Sequence, residues 1–77
     1  MSDLQMLTLD QVATLLNVHR DTITMLRETE VLMPTKIGKG YMYSQEAIRR
    51  FQHDYEGLDV SNKVKALESK EIVHNRN

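Results

Sequence analysis

The sequence of 77 residues predicts a mainly α-helical fold with one small β-hairpin. Three observations carry that prediction. Apolar residues recur at helical spacing in three stretches, good helix caps stand at Thr8 and Ser44, and a Gly-Lys-Gly turn separates two strand-prone triplets.

The first helix opens at Thr8, a good N-cap. Gln11, three residues on, can reach back to close a capping box, and Leu7 and Val12 are spaced for a hydrophobic staple. Leu9, Val12, Ala13 and Leu16 form its apolar stripe, with Asp10, Gln11 and Thr14 outside it. Asn17 tolerates the left-handed conformation that often ends a helix, and Val18 is expected to plug the turn from inside. A second helix is predicted from His19 or Arg20 to Glu28. It buries Val18, Ile23 and Leu26 and turns Arg20, Asp21, Thr24 and Arg27 outward. Stripes joined by so short a turn must cross at a large angle, as in a helix-turn-helix unit.

Val31, Leu32 and Met33 form an apolar run stopped by Pro34, which predicts a bend into the core. Thr35-Lys36-Ile37 and Tyr41-Met42-Tyr43 flank Gly38-Lys39-Gly40 and read as a hairpin. Its two tyrosines alternate with Met42, and at least one is expected to pack inward. Ser44 caps a third helix, with Glu46 in the first turn, where negative charge suits the dipole. Ala47, Ile48, Phe51 and Tyr55 make its stripe, and Gly57 is its expected stop. Helix, turn, helix, hairpin, helix is the order of a winged helix-turn-helix, in which one helix enters a DNA groove and the hairpin grips flanking backbone. Residues 1–57 are assigned to that unit. Residues 58–77 are expected to form a short helical or frayed extension, with Ser61 as candidate cap and Val60, Val64 and Leu67 at helical spacing.

Composition excludes several other classes. There is no cysteine, hence no disulfide framework or thiolate metal site. His19, His53 and His74 are too scattered for a metal site, and no cofactor is expected. No nucleophile, base and orienting group come together by spacing, so the chain reads as a non-enzyme. His19-Arg20-Asp21 spells a fragment of a kinase loop by coincidence, and Gly38-Lys39-Gly40 lacks the spacing of a phosphate-binding loop. The five methionines read as gap-fillers. No apolar run approaches the roughly 18 residues of a membrane span, and no secretion signal is visible, so a cytoplasmic location is expected. The net charge is −1, with six Lys/Arg against eight Asp/Glu in residues 1–57 and four against three in residues 58–77. Any affinity for DNA must therefore come from where charge is placed.

Asn17-Val18-His19-Arg20-Asp21-Thr22-Ile23, Val31-Leu32-Met33-Pro34 and Gly40-Tyr41-Met42-Tyr43-Ser44 together resemble the DNA-binding domain of MerR-type regulators. They are equally similar to the small excisionases of phages and integrative elements. The resemblance covers about residues 7–56 and implies a winged helix that binds duplex DNA, often as a dimer or cooperative array. The roughly twenty residues beyond it suit the minimal excisionase-like architecture better than a MerR-type effector domain. The chain departs from the pattern at four places. Asn17 and Glu30 stand where glycine is common, His19 stands for a small hydroxyl cap, and Met42 replaces an arginine of the wing. The Glu30 departure predicts a differently built exit from the second helix.

Among the candidate DNA-binding residues, Arg20 is foremost, because its fork can span guanine O6 and N7. Thr22 and Thr24 complete the opening turn, and Thr24 can meet a base edge or a thymine methyl. Asp21 can accept from a cytosine amino group or orient Arg20. Arg27 is expected at phosphate. In the wing, Lys36 and Lys39 suit phosphate or minor-groove contact, and Tyr41 can donate to phosphate or pack. The plain alternative is a solvated face whose ion pairs contribute a few tenths of a kcal/mol each. Val60, Val64 and Leu67, with Ile72, are candidates for a homodimer or cooperative contact, or else cover this protein's own core. The expected function is sequence-specific binding of double-stranded DNA for a mobile element, as a recombination directionality factor or transcriptional regulator. The alternatives are a DNA-recognition subunit of packaging or partition machinery, and a protein-interaction module that has lost DNA binding.

Overall fold

A computed structural model describes residues 4–76. Along the chain run β1 (Leu7–Thr8), α1 (Leu9–Leu16), α2 (Arg20–Glu28), β2 (Thr35–Ile37), β3 (Gly40–Tyr43), α3 (Gln45–Asp54) and α4 (Lys63–Asn75). The strands form an antiparallel sheet in the order β1-β3-β2. Leu7 pairs with Tyr43 and Thr8 with Met42, so the root of the hairpin is stitched to the start of the first helix. The sequence does not reveal β1, because two residues are too few to show strand alternation.

The capping box at α1 forms as expected. Gln11 Oε1 accepts from the Thr8 amide at 2.8 Å, and Thr8 Oγ1 accepts from the Gln11 amide at 3.2 Å. Leu7 and Val12 are both buried. Asn17 ends the helix at φ 58°, with the Val18 amide donating to the Ala13 carbonyl at 2.9 Å. Val18 itself does not plug the turn. It is 39 % exposed and lines an apolar groove of about 360 Å³ with Leu16, Thr22, Leu26, Phe51, Leu58 and Val60. The segment before α4 closes that groove only in part.

α2 begins at Arg20, and His19 caps it through an imidazole nitrogen in place of a hydroxyl. His19 Nδ1 accepts from the Asp21 amide at 3.0 Å. Contrary to expectation, the exit from α2 keeps the left-handed turn despite the missing glycine. Glu30 sits at φ 62°, its amide donating to the Arg27 carbonyl, while the Val31 amide donates to the Leu26 carbonyl at 2.9 Å. Buried Val31 against buried Leu26 supplies the apolar contact of this termination motif. The Thr29 hydroxyl also donates to the Met25 and Leu26 carbonyls. The motif's bonds and packing hold a non-glycine residue where its Cβ costs roughly 1–2 kcal/mol. Glu30→Gly is accordingly expected to raise stability by up to about 1 kcal/mol, since glycine's freedom in the unfolded chain takes back part of the gain. The exposed ion pair of Glu30 with Lys70, at 3.4 Å, adds little to lose. A urea midpoint below wild type would contradict this.

Val31 and Leu32 enter the core, whereas Met33 stays 54 % exposed as the chain leaves for β2. Ser44 caps α3 by accepting from the Ala47 amide at 3.0 Å. Ala47 and Ile48 are buried, and Phe51 stacks with Tyr55 at 5.6 Å. The core gathers Leu7, Val12, Ile23, Leu26, Leu32, Tyr43 and Ile48 from β1, α1, α2, the connection before β2, β3 and α3.

Of the two forms expected for the last segment, helical or frayed, α4 is helical from Lys63 through Asn75, but its cap is Asn62, which accepts from the Lys65 amide at 2.9 Å. Ser61 is committed elsewhere, its amide and hydroxyl both donating to the Asp59 carboxylate. Those two bonds hold the Asp59 carboxyl below the usual carboxylate range. α4 packs through Ala66 and Ser69, and the Ser69 hydroxyl donates to the Asp59 carbonyl at 2.7 Å. Val64 and Leu67, the larger residues, face outward at 66 % and 47 % exposure. Small side chains let the helix approach the body closely, which apolar periodicity alone cannot signal.

Candidate nucleic-acid interface

Three residues, Asn17, Val18 and His19, link α1 to α2, and the first two residues of α2, Arg20 and Asp21, are exposed. At 3.6 residues per turn, Arg20, Thr24 and Arg27 lie within a sector of about 60°, whereas Thr22 lies about 200° from Arg20. Arg20 is exposed and Thr24 half-buried on that sector. Thr22 instead lines the apolar groove behind the helix. Its position separates it from the other candidates.

Arg20 is held by an acid that sequence spacing does not suggest. Its Nε lies 3.5 Å from Asp10 Oδ1 across the helix-turn-helix, with both side chains largely exposed. Asp21 does not take the orienting role; its backbone amide is engaged by the His19 cap and its carboxylate lies 3.5 Å from His19 Nδ1. The Asp10–Arg20 contact is worth little in water.

The wing is a two-residue turn, Gly38-Lys39, closed by the Ile37–Gly40 pair. Gly38 adopts φ 66°, as the first position of a primed hairpin turn requires. Lys39 is thereby placed at an exposed tip. Lys36 lies directly opposite Tyr41, so the two side chains share one face of the ribbon. Tyr43, two residues on, is on that same face but fully buried. Met42 points to the other side and is half-buried.

Arg27 joins helix to wing. Its guanidinium carbon lies 4.5 Å from the centre of the Tyr41 ring. Its Nε is buried and has no hydrogen-bond partner among the described residues, and the same is true of the Tyr43 hydroxyl. Through this stack the outward sector of α2 and the Tyr41–Lys36 face of the hairpin become one continuous surface. Among the described residues, Arg27, Lys36 and Lys39 have no ion-pair partner. Acids border the surface at Asp10, Asp21 and Glu28, all exposed.

Burial pushes the Tyr43 hydroxyl above its ordinary value of 10.0, the Arg27 charge opposes this, and Tyr41 adds to it. A folded-state value above the unfolded one means that stability is independent of this group's ionisation below about pH 10 and falls as pH rises from there through the folded value. Tyr43→Phe should therefore shift alkaline unfolding to higher pH. Near neutrality it should be neutral or stabilising by up to about 1 kcal/mol, because a buried hydroxyl without a partner is removed. A loss above about 1 kcal/mol in thermal or urea unfolding would show that the hydroxyl is bonded.

No group of three or more His, Asp or Glu side chains is placed to hold a metal ion among the described residues. Nor is any helix there long and apolar enough to cross a membrane.

A short-turned helix pair, an outward basic helix front and a hairpin locked beside it define a winged helix-turn-helix of the DNA-binding kind. The family model described as "Helix-turn-helix domain" matches residues 6–54, and the chain belongs to that family. It is a DNA-binding helix-turn-helix protein. No curated protein and no solved structure matches it.

Proposed function

We propose that the protein recognises a specific site on double-stranded DNA and serves a mobile element, either as an excisionase-like directionality factor or as a transcriptional regulator. The observation that carries this reading is the shared surface made by Arg20 and Thr24 on α2 and by Tyr41 and Lys36 on the wing, joined by the Arg27–Tyr41 stack. On that surface Arg20 leaves Asp10 for a guanine edge, Thr24 meets the neighbouring base, and Lys36 and Lys39 hold phosphates. Phosphate contacts set register and base contacts set preference. The resemblance to excisionases and MerR-type regulators supports the mobile-element assignment.

Two phosphate lysines give a log–log salt slope near −2 per protomer, at about 0.9 for each phosphate. Binding by a single protomer is therefore weak, and occupancy comes from neighbouring copies. Val64 and Leu67, exposed on α4 with Ile72, are the surface for such contact. Val60 is half-buried against the core and contributes less.

Titration of the full chain against random duplex at low salt, followed by footprinting on the DNA beside its own gene, tests the proposal. The expected result is micromolar non-specific binding and a protected site bound at least a hundredfold more tightly. In the same titration Lys39→Ala should weaken all sequences alike and reduce the slope by about 1. Absence of any complex at low salt would reject the proposal. It would favour a protein-interaction module, a reading supported by the acids Asp10, Asp21 and Glu28 around the surface.

A further inference from the structure

We propose that Arg27 is a positioning residue: it fixes the angle of the wing against α2 by stacking on Tyr41, and its charge is not spent on phosphate. The inference rests on the reading of α2 and the hairpin as the DNA-binding surface, and it assigns Arg27 a different task from the wing lysines.

Sheet pairing holds only the root of the hairpin. Leu7 and Thr8 pair with Tyr43 and Met42, and Tyr43 is buried beneath. Beyond that point β2 is an edge strand whose three residues are all exposed, and Lys39 projects from the turn. The Arg27–Tyr41 stack lies two residues nearer the tip than Tyr43. It therefore restrains the part of the ribbon that carries Lys36, which sits opposite Tyr41, and Lys39 beyond it.

The side chain of Arg27 bears the marks of a packing role. Its Nε is buried without a hydrogen-bond partner among the described residues, so no polar bond at that atom places it. Its guanidinium carbon lies 4.5 Å from the centre of the ring, a contact in which a flat guanidinium covers more of the ring than a compact, strongly hydrated ammonium does. A cation whose flank is sealed by an aromatic ring is also less free to swing toward a phosphate than Lys39 at an open tip. The distance between the base read by Arg20 and the phosphates held by the wing is then set inside the protein, before DNA arrives. Preorganisation of this kind raises discrimination, because a wrong site cannot be met by moving the wing.

Amide hydrogen exchange of the free protein, joined to salt-dependent DNA titration, tests the assignment with Arg27→Ala, Arg27→Lys and Tyr41→Phe. Exchange in residues 35–43 should quicken about tenfold in both Arg27 variants, stay near wild type in Tyr41→Phe, which keeps the ring, and remain unchanged in α1 and α3. In titration, Arg27→Lys should behave as Arg27→Ala does: preference for the cognate duplex over random duplex falls about tenfold, while the salt slope stays at the wild-type value. Rescue of preference by lysine, or a slope reduced by about 0.9 in Arg27→Ala, would overturn the inference and make Arg27 a phosphate ligand. Unchanged wing exchange in both Arg27 variants would overturn it equally. If the wild-type chain binds no duplex, the proposed function fails, and the exchange measurement still decides whether Arg27 tethers the wing.

Discussion

Arg20→Ala is expected to weaken binding to the cognate duplex by about 1–3 kcal/mol and to relax discrimination at a single base pair. Arg20 stands in the first turn of α2, exposed, with its Nε 3.5 Å from Asp10. That partner is weak in water, so little is given up when the guanidinium turns to a base edge. Stability should change by no more than about 0.5 kcal/mol, since an exposed ion pair is all that is lost. A shift assay over a set of single-base variants of the site, run at fixed salt, measures both quantities. Unchanged affinity together with unchanged preference would show that the front of α2 does not read bases.

Ile23→Ala is expected to cost about 2–5 kcal/mol of folding free energy, through lost transfer energy and the cavity left behind. Ile23 has no solvent exposure and shares the core with Val12, Leu26, Leu32 and Tyr43. A chain of this length carries roughly 4–12 kcal/mol in total, at 0.05–0.15 kcal/mol per residue, so the loss removes a large part of it. Ile23→Val, which keeps most of the volume, should cost about 0.5–1.5 kcal/mol. Urea unfolding of the two variants checks the order. A cost below about 1 kcal/mol for the alanine would mean that α2 is not seated as described.

Local signals in the sequence proved reliable wherever the deciding atoms lie within four residues of one another. Thr8 with Gln11, Asn17 at its left-handed position, Ser44 over α3 and the Gly38-Lys39 turn all act through short-range bonds, and each is where its neighbours imply. Errors arose where one side chain had two local options. Ser61 and Asn62 can both cap α4, and the choice falls to Asn62 because Asp59 captures Ser61 first. The absence of glycine at Glu30 predicts a different exit from α2, yet the bonds and packing of Val31 and Leu26 hold Glu30 at φ 62°. Apolar spacing leaves Val64 and Leu67 open to a core role or an outward one; in the structure both face outward, and small Ala66 and Ser69 make the contact with the body.

The candidate surface was legible as a list of cations and not as an arrangement. The outward front of α2 and the basic wing follow from periodicity and turn chemistry. The contacts of Arg20 with Asp10 and of Arg27 with Tyr41 span ten and fourteen positions, and no local spacing rule links residues so far apart. Removal of Thr22 from the surface likewise required the groove behind α2 to be formed.

Sequence by itself determined the order of the helices and the hairpin, the caps of α1 and α3, the hairpin turn and the core of the helix-turn-helix, because each depends on bonds and burial along a short stretch of chain. Tertiary structure alone decided which face of α4 meets the body, which acid restrains Arg20 and how the wing is tied to α2. Those outcomes depend on side chains distant in sequence competing for the same volume and the same partners, and that competition is resolved only when the chain has closed on itself.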